Sequence, residues 1–96
     1  MTKAQMIETI QAEEAKAWLE YKRYTYFFAP TKNGYFHAQE WLSEDETASR
    51  LRSIWATLHD LMLTLHIESI KNEDSNLAWE YHGKFYRACK EAETNA

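Results

Sequence analysis

A chain of 96 residues with a formal charge of −4 is predicted to make one domain, 1–96, because two independent units would each fall near the limit of self-sufficiency. Apolar residues at 45% and charged residues at 27% exclude disorder driven by high charge, and the mild negative balance has the wrong sign for a general phosphate binder. The lone cysteine, Cys89, excludes an internal disulfide; with no apolar run of signal or membrane-span length, the expected setting is a reducing cytoplasm, away from any membrane.

Two glycines and one proline leave little to interrupt helices. Thr2-Lys3-Ala4-Gln5 fits a capping box, in which Thr2 and Gln5 each accept from the other's backbone N–H. Helix one starts there, and Met6, Ile10, Ala17, Tyr21, Tyr24 and Phe28 recur along one stripe, with Ile7 and Trp18 beside it. Glu14 lies close to that stripe, so its carboxylate must reach solvent or find a partner.

Residues Tyr24 to Phe36, YTYFFAPTKNGYF, set six aromatic rings around Pro30 and Asn33-Gly34. A β-hairpin is one reading, since Tyr and Phe favour strands and Asn-Gly suits a tight turn. The other is a helix end at about Phe28, a loop, and a return over Tyr35 to Leu42 as a short helix or irregular cover. Pro30 and Thr31 separate the aromatic run from the turn, and an isolated ribbon is marginal, which favours the helical reading.

Ser43-Glu44-Asp45-Glu46 reads as a second capping box opening helix two. Leu51, Ile54, Trp55, Leu58, Leu61, Met62 and Leu65 follow at heptad-like spacing, a predicted core-facing seam running to about Ile67. Asp74 or Ser75 is then predicted to cap helix three, whose Leu77, Ala78, Tyr81, Phe85, Ala88 and Cys89 share one side. Glu91 to Ala96 have little to bury and are expected to fray. The predicted fold is an all-α, three-helix antiparallel bundle with an aromatic loop or short helix between helices one and two.

Chemistry-bearing residues are sparse. Of His37, His59, His66 and His82, the pair on helix two is seven residues apart, about 10.5 Å along the axis, too far to share one zinc ion, so neither a metal nor another cofactor is expected. Cys89 has no local base, and no glycine-rich phosphate loop, serine elbow or H-E-x-x-H helix occurs, so an enzyme is not expected.

Protein contact is the favoured function. Trp79, His82 and Tyr86 recur on a side of helix three different from its core face, and Arg52, His59 and His66 form a polar row beside the helix-two seam. These six are the candidate residues for a protein partner or a homodimer. The alternative is nucleic-acid binding through Lys84, Arg87 and Lys90, a short basic stripe interrupted by Glu80, Glu91 and Glu93.

At AKAWLEY, Ala15 to Tyr21, and RSIWATLHDLMLTLHI, Arg52 to Ile67, the chain resembles small helical proteins of bacteriophages and mobile elements. The similarity covers about half the chain and rests on Trp and Leu positions of core type. It implies an accessory protein acting on another protein, such as a host defence or regulatory component, and supplies no functional residues.

Overall fold

Thr2 caps the first helix reciprocally: Gln5 N–H donates to Thr2 Oγ1 at 3.1 Å, and Thr2 N–H donates to Gln5 Oε1 at 2.8 Å. From that cap α1 runs Lys3–Phe28, about 39 Å at the rise of an α-helix. In the computed structural model, which describes residues 1–95, α2 Tyr35–Glu44, α3 Glu46–Thr64 and α4 Glu73–Thr94 follow. The all-α class holds, with four helices among the described residues: the three long ones and α2, the short helix that is one of the readings of the segment after the aromatic run.

The turn into α2 depends on left-handed backbone at Asn33 (φ 68°) and Gly34 (φ 91°). Glu93 leans over Gly34 where a Cβ would collide with its side chain, and its carboxylate accepts the Tyr35 N–H at 3.1 Å. The end of α4, expected to fray from Glu91, is therefore tied to the start of α2 and stays helical to Thr94.

Both interior caps differ from the predicted ones. Ser43 lies within α2, its hydroxyl donating to the Glu40 carbonyl at 2.7 Å. Asp45 caps α3 instead, accepting the Ala48 N–H at 2.9 Å and the Tyr24 hydroxyl at 2.6 Å, and these donors hold its carboxyl below the usual range. The deciding partner, Tyr24, is distant in sequence. Likewise Asn72, not Asp74 or Ser75, caps α4: Ser75 is the third residue of the helix and closes the box with it at 2.9 and 2.8 Å.

α3 stops at Thr64, short of Ile67. His66 adopts φ 57°, Ile67 N–H donates to Met62 O at 2.8 Å, and His66 N–H donates to Leu63 O at 3.3 Å. That is a Schellman closure with histidine at the position glycine usually takes.

The packing centres on α1. α3 returns antiparallel to it, with Asp45 at Tyr24 and Trp55 at Glu14, while α4 runs parallel to it, with Trp79 at Trp18 and Tyr81 at Tyr26. α3 and α4 scarcely touch each other, so the bundle is open on one side and elongated, 54 × 24 × 19 Å. α2 closes one end, over a core of Ala29, Ala38, Leu42, Ala48, Phe85 and Cys89.

This arrangement splits the predicted α3 seam: Leu51, Trp55, Leu58 and Met62 are buried or half-buried, and Ile54, Leu61 and Leu65 are not. Ala48, Trp55 and Met62, seven residues apart, lie along the side that packs on α1, and Met62 is 1% exposed. Ile54, Leu61 and Leu65 sit roughly a quarter turn away and stay 43–52% exposed, because no second helix covers that flank. On α4, Ala78, Phe85 and Cys89 are buried as predicted, but Leu77 is exposed.

Met62→Ala is expected to lower unfolding free energy by about 2–5 kcal/mol, whereas Leu61→Ala costs under about 1 kcal/mol; chemical denaturation compares them. His66→Gly is expected to stabilise the fold by about 0.5–1 kcal/mol in the same assay, because relief of left-handed strain exceeds the added freedom of the unfolded chain.

Candidate functional site

Since α3 and α4 both lie on α1 without meeting, a cleft of about 490 Å³ remains between them. α1 supplies its floor with Glu14, Ala15 and Trp18; Trp55 and His59 line it from α3, Asn76 and Trp79 from α4, and residues 69–71 of the connection also border it. Trp18 is the hub. Its ring centroid lies 4.5 Å from that of Trp55 and 5.9 Å from that of Trp79, the second pair edge-on. His59 stacks on Trp55 at 4.9 Å and 22°.

Glu14 is 6% exposed at the base of this cleft. Burial of a carboxylate demands compensation. The Trp55 indole N–H donates to Glu14 Oε1 at 3.0 Å and the Ser69 hydroxyl donates to the same oxygen at 3.5 Å, both neutral groups. His59 Nδ1 stands 3.6 Å from Oε1, beyond hydrogen-bond reach, and is itself buried with no partner.

Eight residues further along α1, about 12 Å up its axis, Lys22 lays its ammonium 4.4 Å from the Trp18 ring centroid and 5.2 Å from that of Tyr21. Burial, reinforced by the Arg52 charge, pulls Lys22 down to about 8. His82 is lowered in turn by burial and by Lys22.

The predicted contact residues divide between several places. Trp79 forms the rim of the cleft at 61% exposure, His82 meets its ring edge-on at 5.6 Å, and His59 lines the opposite wall. Tyr86 continues the same face of α4 but packs on Tyr35 at 5.7 Å. Arg52 borders a separate depression with Tyr21 and Leu42, and His66 is the left-handed cap of α3. Two residues of the basic stripe are locally balanced, Lys84 by Glu80 at 3.2 Å and Lys90 by Glu93 at 3.4 Å, while Arg87 is exposed between them.

Glu14, Lys22, Trp18 and Trp55 enter the site from positions that periodicity reads as core or surface. The signal available in the sequence was the acidic residue beside an apolar stripe. Cys89 is fully buried and its thiol is pushed up by burial and by Glu93. Among the described residues no three His, Cys, Asp or Glu side chains converge on a metal position, and no helix is long and apolar enough to cross a membrane. Compared with known protein families, curated proteins and solved structures, the chain has no match.

Lys22 titrates near 8 in the fold and at 10.5 as a free side chain, so between those values the unfolded chain holds the extra proton and stability rises with pH. Thermal melts are expected to show a gain of about 1–2 kcal/mol from pH 8 to 10, after allowance for residual solvent contact, and Lys22→Met is expected to flatten it. Above pH 10 the raised Tyr21 hydroxyl works in the opposite direction.

Proposed function

We propose that this chain is a non-enzymatic accessory protein that acts by protein–protein contact, with a partner protein docking at the mouth of the cleft between α3 and α4. The observation that carries the reading is Trp79. Its indole is 61% exposed, yet it is braced edge-on against Trp18 at the rim of a concave surface. A large ring held rigidly at a pocket edge loses little conformational freedom on binding and desolvates a large area, the property of interface anchors. His82 and Tyr86 extend the same face of α4, and His59 contributes from the facing wall.

What supports a host defence or regulatory protein as that partner, in a cytoplasmic setting, is the resemblance of Ala15 to Tyr21 and Arg52 to Ile67 to phage and mobile-element proteins. Self-association is the competing use of exposed apolar surface, and its natural location is Ile54, Leu61 and Leu65 on the uncovered flank of α3.

Immobilised wild-type, Trp79→Ala and Leu61→Lys proteins, incubated with a bacterial lysate, test the assignment. The expected result is a specific protein retained by wild type and Leu61→Lys and lost with Trp79→Ala, while all three keep their helicity. A retained set indifferent to Trp79→Ala overturns it. So does a dimer, seen by light scattering, that Leu61→Lys dissolves and Trp79→Ala leaves intact.

A further inference from the structure

We propose that the cleft is a subsite for a guanidinium group, an arginine side chain of the docking protein, with Glu14 as its counter-ion. This names the chemistry of the contact and rests on the protein-binding reading above.

Two polar groups at the base of the cleft are incompletely satisfied. Glu14 Oε1 receives only neutral donors, the Trp55 indole and the Ser69 hydroxyl, and Oε2 receives no hydrogen bond among the described residues. His59 Nδ1, 3.6 Å from Oε1, is buried and unpartnered. A carboxylate that is 94% buried is stabilised far more by a cation than by a hydroxyl. Lys71 borders the same cleft but forms no ion pair with Glu14.

Guanidinium fits these demands together. It is planar and weakly hydrated, stacks on aromatic faces, and carries several donors in a fixed fork. One edge can donate to Glu14 while a neighbouring N–H donates to His59 Nδ1, with the histidine proton on Nε2. The indole of Trp79 then offers its exposed face at the rim. An ammonium supplies the charge but not the planar stacking, and an anion meets a buried carboxylate. The site thus selects among ligand classes by chemistry already present in its walls.

The test uses N-acetyl-arginine amide and its neutral isostere N-acetyl-citrulline amide, read by the Trp55 indole N–H resonance of the labelled protein. The expected result is a saturating shift with the arginine compound in the millimolar range and at least about tenfold weaker binding of the citrulline compound, since the two differ chiefly in charge. Glu14→Gln keeps an acceptor for the Trp55 N–H and is expected to remove that preference. Equal binding of both compounds, preference unchanged in Glu14→Gln, or no shift of Trp55 up to about 50 mM overturns the subsite, the last being weaker than any affinity useful to a docking residue. Should Glu14→Gln fail to fold, the comparison of the two compounds on the wild-type protein decides the matter. Arginine binding without a Trp79-dependent protein partner would remove the docking function and leave the subsite; a Trp79-dependent partner without arginine preference would do the reverse.

Discussion

One helix carries both of the other long helices. α1 takes α3 on one flank and α4 on the next, and because those two do not close on each other, the line of α1 through Glu14 and Trp18 is only partly covered. A closed three-helix bundle would fill this line with a third apolar face. Here tryptophans span it, since an indole is large enough to reach across the gap and still meet Trp18 from both sides at 4.5 and 5.9 Å. The cleft is a consequence of helix arrangement, and its aromatic walls follow from the need to brace that arrangement.

The same stretch of α1 carries a buried carboxylate, Glu14, and a half-buried ammonium, Lys22. Glu14 and Lys22 sit nearly a quarter turn apart around the helix and about 12 Å apart along it, too far to neutralise each other by direct contact. Each is satisfied separately: the carboxylate by the Trp55 N–H, the ammonium by the faces of Trp18 and Tyr21. Partial compensation leaves Lys22 easier to deprotonate than a free lysine, and it leaves Glu14 hydrogen-bonded by neutral donors, with His59 Nδ1 3.6 Å away. Stability and recognition therefore draw on the same short stretch of α1.

Helical class, the Thr2 capping box and the burial of Ala78, Phe85 and Cys89 were legible because each depends on residues within a turn or two of one another. The caps at Asp45 and Asn72 were less so. Asp45 is chosen over Ser43 by a hydroxyl from Tyr24, a contact that spacing within the segment does not contain. The Leu51 to Leu65 seam shows the limit of periodicity: it identifies an apolar stripe but not which stripe of a broadly apolar helix faces a neighbour, and the one carrying Trp55 and Met62 prevailed. Trp79, His82 and His59 come near one another only because α3 and α4 are set across α1; Arg52, Tyr86 and His66 are not drawn to the same place.

The amino-acid sequence alone determined that the chain is helical, where α1 begins, and that excess aromatic surface had to be accommodated somewhere, since these follow from short-range hydrogen bonding and from composition. Tertiary structure alone decided that Glu14 meets Trp55, that Glu93 secures Gly34 and Tyr35, and that Trp79 stands at a cleft, because each joins residues separated by forty or more positions. Local rules specify rods and their ends. The gap between two rods that share a third depends on how their side chains fit, and that fit is a property of the assembled molecule.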